Sequence, residues 1–373
     1  MSWIAGFLPL GAWLYLLFGR GFFWLTRDRD DRDAAPPEAW PSVAAVVPAR
    51  DEADVIARSI GSLLAQDYRG PFRVILVDDQ SSDGTAEAAR ALDSGKLELV
   101  PGAPRPSGWT GKLWAVKQGI ERAGEPDYLW LTDADIAHTP NNLSMLVARA
   151  ESGKLVLASL MAKLHCESFA ERLLIPAFVF FFDMLYPFGW VNDPRNATAA
   201  AAGGCMLVKR KALERAGGMD AIRGEIIDDC AMGRLMKAQG PIWLGLTDRS
   251  VSLRPYDFGD IRRMVSRSAY AQLSYSPLQL AGTVIGMVLV YVAAPFVALL
   301  AHGPAQLAAI ATWAMMVIAF APMLRFYRLS PLWGVALPLT GFLYGLFTLD
   351  SALQHWRGRG GMWKGRAQAM GKA

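Results

Sequence analysis

The sequence predicts an α/β fold, a mostly parallel sheet with helices on both faces, set between membrane segments. Three observations predict it. Between residues 42 and 250 short apolar runs alternate with amphipathic stretches, the rhythm of buried parallel strands and the helices that cover them. Several of these runs end abruptly in carboxylates, at the strand edge where open α/β sheets bind ligands. The chain is 53% hydrophobic, and the excess gathers at the N-terminus and beyond residue 277. At 373 residues there is room for two ordinary domains.

Residues 1–25 read as a membrane anchor. The stretch 3–18 is apolar and uncharged, and it is long enough to cross if it runs on to about Leu25 with Arg20 snorkelling. No basic leader precedes it and no A-x-A site follows, which favours an anchor over a cleaved signal peptide. Arg20, Arg27, Arg29 and Arg32 all follow it, so the next domain is expected in the cytoplasm. Residues 26–41, alternating Asp and Arg before Ala-Ala-Pro-Pro, read as a solvated juxtamembrane linker.

The α/β domain is expected over residues 42–255. Strands are predicted at 43–47, 73–77, 96–100, 128–132, 155–160, 205–208 and 242–246. Helices are predicted at 51–65, 83–92, 112–122, 141–150, 210–216 and 228–238. The apolar run 173–182 is too short to span and reads as an interfacial or buried helix. Residues 256–276 form an amphipathic helix carrying Arg262, Arg263 and Arg267, suited to a membrane surface. Residues 277–353 hold three apolar segments, 278–301, 305–324 and 329–349. The last contains Pro331, Pro338, Gly334, Gly341 and Gly345, and the basic tail after it wants the cytoplasm, so it is expected to be re-entrant or interfacial. Residues 354–373 are that tail, with Arg357, Arg359, Lys364, Arg366 and Lys372.

The net charge of +4 is too small to argue for nucleic acid, and the basic residues flank the apolar segments, as anionic lipid would favour. Cys166, Cys205 and Cys230 form no C-x-x-C pair, and their odd number fits a reducing compartment. The four histidines show no zinc spacing.

The chemistry gathers at strand ends. The run 128–132 ends in Asp133-Ala134-Asp135. In extended chain residues i and i+2 point the same way, so two hard oxygen donors would suit Mg²⁺ or Mn²⁺ shared with a diphosphate. The run 73–77 ends in Asp78 and Asp79, which suit ribose hydroxyls or a base N–H, while Ser81, Ser82 and Asp83 can cap the next helix. The first strand ends in Pro48-Ala49-Arg50-Asp51-Glu52 with no G-x-G-x-x-G, which disfavours a dinucleotide site.

These residues carry a resemblance. Val-Pro-Ala-Arg-Asp-Glu, Val-Asp-Asp-Gln-Ser-Ser-Asp-Gly-Thr, Asp133-Ala134-Asp135, Gly111-Lys112, Gly203-Gly204-Cys205 and Asp228-Asp229 resemble the signatures of family 2 inverting glycosyltransferases with the GT-A fold. The resemblance runs from residue 42 to about 275. With the anchor, the apolar C-terminus and the ending Trp356 to Arg366, the whole chain is similar to the hopene-associated glycosyltransferases of bacterial hopanoid pathways. It implies a multi-pass protein of the bacterial cytoplasmic membrane that moves a sugar from a nucleotide-sugar, a UDP-sugar first of all, to a lipid acceptor such as a hopanoid.

The resemblance also implies roles. Asp51 or Glu52, with Asp79 or Asp78, would hold the nucleoside, and Pro48, Arg50, Lys112, Gly203 and Gly204 would lie along the donor. Asp133 would face ribose or metal, Asp135 the divalent cation and diphosphate, and Asp229 would be the catalytic base. An inverting transfer needs such a base, and a helix N-terminus favours a carboxylate by roughly 0.3–1 kcal/mol, which would keep it ionised; Asp228 is expected beside it in the catalytic pair, where it would also cap the helix. Arg267 could offer its fork of donors to phosphate. The sequence departs from the family twice. Asp228-Asp229 stands where Glu-Asp is usual, and Met264 and Ser268 flank Arg267 where Gln and Trp are common, which argues against processive synthesis. Alternatives are transfer to a polyprenyl phosphate, and a non-catalytic nucleotide-sugar-binding scaffold. A transporter fits poorly with so long a polar insertion between apolar segments.

Overall fold

The computed structural model describes residues 4–32, 34–363 and 366–367. Trp3 of the expected anchor, and Lys364 and Lys372 of the tail, lie outside the described residues. In chain order the elements begin with α1 (Ile4–Gly19), β1 (Val43–Ala49), α2 (Ile56–Leu64), β2 (Phe72–Asp78), α3 (Thr85–Arg90), β3 (Leu97–Pro101), α4 (Gly111–Arg122) and β4 (Tyr128–Leu131). They continue with β5 (Ile136–His138), α5 (Asn142–Ser152), β6 (Leu157–Lys163), α6 (Phe169–Leu185), α7 (Phe188–Asn192), β7 (Met206–Lys209), α8 (Arg210–Arg215), α9 (Asp228–Lys237) and β8 (Ile242–Ser252). Last come α10 (Phe258–Gln272), α11 (Pro277–Met287), α12 (Ala293–Leu300), α13 (Pro304–Phe326), α14 (Leu337–Trp356) and the short pair β9 (Met362–Trp363) and β10 (Arg366–Ala367). The chain divides into two compact units, one built on Asp28–His165 and Trp190–Pro255, the other on residues 4–27, Cys166–Gly189 and Tyr256–Gly361.

The first unit is an eight-stranded sheet in the order β3-β2-β1-β4-β7-β6-β8-β5. β1 lies parallel to β2 and β4, and β2 parallel to β3; β7 runs antiparallel to β4 and β6. The expected mostly parallel sheet is therefore present. β1 is buried along its whole length and β4 (Tyr-Leu-Trp-Leu) likewise, because strands covered on both faces have no polar side to show. Trp130 and Tyr128 anchor this core with Ile56, Ile60, Leu63 and Val147. The chain leaves β1 toward β2 and β3, then returns to β4 on β1's other side. That reversal is a topological switch point, where open α/β sheets form a ligand crevice.

The structure differs from the sequence reading in particular places. The helix expected from residue 51 begins at Ile56. Asp51 has φ 50° and Ser82 donates its N–H to Asp51 Oδ1 at 2.8 Å, so residues 51–55 are spent clasping the loop after β2. Gly84, with φ 95°, precedes α3 in place of a side-chain cap. Asp83 stands one residue further back and accepts from the Thr85 N–H at 3.0 Å and the Ala53 N–H at 2.9 Å. β5 has only three residues, too short for periodicity to register, and β8 extends to Ser252 to pair with it. Part of the expected solvated linker is pinned to the sheet. Arg29 bridges to Leu246, and Asp30, 8% exposed, accepts from the Thr247 hydroxyl at 2.7 Å and faces Arg249 at 3.5 Å.

Among the described residues of the second unit three helices are long and apolar enough to cross a membrane: Pro277–Leu300, Pro304–Phe326 and Pro331–Trp356. The last, expected to be re-entrant or interfacial, is helical throughout. Its prolines sit at first-turn positions, where a missing N–H costs nothing. Gly341 is a close-approach point, because a Cβ there would lie 2.5 Å from the Tyr291 ring. α1 stops at Gly19 and so falls short of the expected 25-residue anchor; Gly21 and Phe22, at φ 63° and 51°, turn the chain there. The run 173–182 lies within α6, which opens with a Ser168/Glu171 capping box and buries Leu173 to Ala177, in keeping with a buried helix. α10 was expected to lay its apolar face on the membrane. Ile261, Val265 and Tyr270 are buried, the Tyr270 N–H donates to Ser351 of α14 at 3.0 Å, and Arg262 pairs with Asp350 at 3.2 Å. Its exposed arginines remain outward.

Candidate active site

The site is built by β-strand ends. Because β7 runs antiparallel to β4 with Met206 opposite Leu131, the glycines before β7 arrive beside the residues after β4. Thr132 donates its hydroxyl to the Gly204 carbonyl at 2.8 Å, which fixes the two segments together. His138 props Thr132 from behind, 2.9 Å from its Oγ1 and 2.9 Å from Ser250 Oγ. Burial lowers the His138 imidazole to about 3, so it stays neutral and acts as a structural prop.

Asp133 and Asp135 stand in the turn between β4 and β5, where the Ile136 N–H returns to the Asp133 carbonyl at 3.2 Å. The expected extended i, i+2 geometry is thus replaced by a turn. The two carboxyls remain neighbours: burial and then Asp133 raise the Asp135 carboxyl, and Arg254 pulls it back. Asp133 Oδ1 lies 2.8 Å from Lys112 Nζ.

Lys112 is the hub. It stands on the first turn of α4, which Thr110 caps by accepting from the Leu113 N–H. Its ammonium bridges Asp133 on one side and Asp228 Oδ2, at 3.0 Å, on the other. Burial alone would lower its pKa, but Asp133 and Asp228 outweigh burial and hold it well above the usual lysine range. The sequence reading put Lys112 near the donor; its two acidic partners were not foreseen, for they come from distant segments. Asp228 does not cap α9. Ile227 holds the cap position without a side-chain bond, and Asp228 turns to Lys112.

Asp229 sits at the second position of α9. Its Oδ2 accepts from the Gly203 N–H at 3.2 Å and its Oδ1 from the Cys230 N–H at 2.7 Å. Burial, then Asp228, raise its carboxyl to about 6, while Lys112 and the two N–H donors hold it from rising further. The helix terminus alone was expected to keep it ionised; burial wins, and the result is a carboxylate poised just below neutrality, the range general bases favour. A Cβ on Gly203 would crowd Lys112 Nζ at 3.3 Å and make ordinary contact with Asp229 Cβ at 3.6 Å. A Cβ on Gly204 would press on Ala162 at 3.1 Å. A crevice lined by Pro48, Lys112, Asp133, Gly203, Asp228 and the apolar side chains of Met206, Met219 and Met232 opens beside them.

The remaining candidates cluster at the ends of β1 and β2. Arg50 Nη1 donates to the Asp79 carbonyl at 2.5 Å and stands 3.8 Å from the Asp79 carboxylate, which is 1% exposed. Asp78 Oδ1 accepts from the Ser81 N–H at 3.2 Å, and Asp51 clasps Ser82. Glu52, 7% exposed, forms an ion pair with Arg254, a residue absent from the sequence reading. Arg254 also lies 3.7 Å from Asp135. A lone arginine after a strand carries no local signal; only the fold gives it two carboxylates. Arg267 is exposed on α10, in the other unit.

Mg²⁺ and Mn²⁺ are bound by one or two carboxylates together with substrate phosphates. Among the described residues no three or more His, Cys, Asp or Glu side chains form a metal cage. Asp133 and Asp135, with the Asp135 carboxyl raised by burial and by its neighbour, fit a divalent cation shared with a bound diphosphate.

Residues 44–217 match the family model for glycosyl transferase family 2, which ends before Asp228 and Asp229. A mannosyltransferase from Pyrobaculum calidifontis, solved with GDP-Man and Mn²⁺, is similar over 94% of this chain and 99% of its own, at 20% identity and a TM-score of 0.55. Mannosyl-3-phosphoglycerate synthase from Rubrobacter xylanophilus is similar over 63% of this chain and 76% of its own, at 16% identity and a TM-score of 0.40. Glucosyl-3-phosphoglycerate synthase from Mycobacterium tuberculosis is similar over 63% and 79%, at 20% identity and 0.41. The comparison with curated protein sequences found no match. The matched span is similar to family 2 glycosyltransferase domains, and the sheet is of the GT-A type.

Proposed function

We propose that this protein is a membrane-associated inverting glycosyltransferase that moves a sugar from a nucleotide-sugar to a lipid acceptor, with Asp229 as the base. The observation that carries the reading is the arrangement of Asp229, Lys112 and Asp133 around Gly203 at the β1/β4 switch point. The acceptor hydroxyl loses its proton to Asp229 as its oxygen attacks the anomeric carbon. The bond from that carbon to the diphosphate breaks, and a nucleoside diphosphate leaves. Attack opposite the leaving group inverts the anomeric centre. Asp135 and Asp133 would hold the divalent cation, which when bound supplies neutralising charge to the diphosphate. Lys112 adds a fixed positive charge where negative charge develops.

A base near 6 means that turnover rises with pH through about 6 and then levels. Lys112 helps keep Asp229 ionised, so its loss should move that rise upward. In Lys112→Met the inflection of kcat against pH is expected clearly above that of the unaltered protein. An unmoved inflection would show that Lys112 has no hold on the base.

The lipid acceptor is supported by the three long apolar helices. A hydrophobic acceptor can reach a cytoplasmic site laterally from the bilayer, and a hopanoid fits the resemblance of the whole chain. The same-fold mannosyltransferase was solved with GDP-Man and Mn²⁺, and we propose a donor of that class, a nucleotide-sugar. Mass spectrometry of membrane lipids from cells with and without the gene tests both substrates. One glycolipid should vanish without it, and its mass names sugar and lipid together. An unchanged glycolipid profile would contradict the lipid acceptor.

A further inference from the structure

Arg254 stands at the end of β8, and its placement is tightly fixed. The Leu253 N–H donates to the Asp135 carbonyl at 2.8 Å, which ties the strand end to the turn carrying Asp133 and Asp135. The Arg254 N–H donates to Ser252 Oγ at 3.4 Å, and Pro255 follows. Its guanidinium forms an ion pair with Glu52 and stands 3.7 Å from Asp135 Oδ2. Glu52 is itself held by its N–H to Thr85 Oγ1 at 2.8 Å.

We infer that Arg254 is an internal counter-ion that competes with the divalent cation for Asp135, so that the cation binds strongly only together with the donor. The inference rests on the metal reading of Asp133 and Asp135. Asp135 is only 21% exposed and has Asp133 beside it, so without a cation its charge must be met from within the protein. Arg254 meets it as a fixed positive charge, its Nε 3.7 Å from Asp135 Oδ2 while its Nη2 pairs with Glu52. A divalent ion arriving alone has to displace that guanidinium and gains only carboxylate ligands. An ion arriving with a diphosphate gains phosphate oxygens as well, and the displaced guanidinium gains a new anion. Arg254 is thus a positioning residue that couples cation to donor and keeps the empty site from holding a cation idly.

The test is Mn²⁺ binding to the purified full chain in detergent, read by electron paramagnetic resonance of free Mn²⁺. It is run with Mn²⁺ alone and then with UDP or GDP present. In Arg254→Gln the affinity for Mn²⁺ alone should rise by roughly three- to tenfold. The gain in affinity on adding nucleoside diphosphate should shrink by a similar factor. Arg254→Lys, which keeps the charge, should stay close to the unaltered protein, and thermal unfolding shows that each variant is folded. If Arg254→Gln binds Mn²⁺ as the unaltered protein does, while Asp135→Asn abolishes binding, the competition is overturned and the metal reading stands. If the unaltered protein takes no Mn²⁺ even with UDP and GDP, the metal reading falls and the competition with it.

Discussion

Asp229→Asn should lower turnover by about 10²–10⁴-fold, the usual contribution of a positioned general base. Donor binding should change little. The amide keeps the shape of the carboxylate but cannot take the acceptor's proton. The side chain's setting supports the size of the effect: it is buried, raised to about 6, and held by the Gly203 and Cys230 N–H groups at 3.2 and 2.7 Å. The measurement is kcat with saturating donor, beside equilibrium binding of the nucleoside diphosphate. The result also separates acceptors. A phosphate oxygen is already ionised and needs no base, so a variant with nearly full activity would point to a polyprenyl phosphate acceptor.

The second large effect is expected at Asp135. Asp135→Asn should reduce kcat/KM by about 10²–10³-fold, comparable to removing one well-aimed electrostatic group from a reaction centre. A chelator should do the same to the unaltered protein, and added Mn²⁺ should restore it. Asp133→Asn should cost less, since Lys112 Nζ lies 2.8 Å from Asp133 and already meets its charge. Steady-state kinetics with and without added Mn²⁺ distinguish the two variants. Equal losses at both positions would argue that Lys112 gives Asp133 no cover.

Much of this was readable in the chain because of how parallel sheets are made. Strands covered on both faces leave nearly unbroken apolar runs, so β1, β2 and β4 announced themselves, and their ends marked the crevice. Asp228 and Asp229 were visible as paired acids opening a helix. What escaped depends on contacts between distant segments. Lys112 meets Asp228 across more than a hundred residues, and Arg254 meets Glu52 across two hundred. Neither pairing leaves a local pattern. The pinned linker failed for the same reason: Asp30 and Arg29 look solvated until Leu246, Thr247 and Arg249 lie beside them. In the third apolar segment, prolines and glycines that read as breakers in sequence occupy first-turn and close-packing positions of a helix.

The central claim is that a base, Asp229, and a cation-binding pair, Asp133 and Asp135, together transfer a sugar from a nucleotide-sugar. It is tested most directly by nucleoside diphosphate release from the purified full chain, offered a panel of nucleotide-sugars with extracted membrane lipids and Mn²⁺. Release should occur with at least one donor, depend on added lipid, and disappear with chelator, with Asp135→Ala and with Asp229→Asn. No release from any donor in the presence of lipid, or release untouched by all three, would contradict the claim.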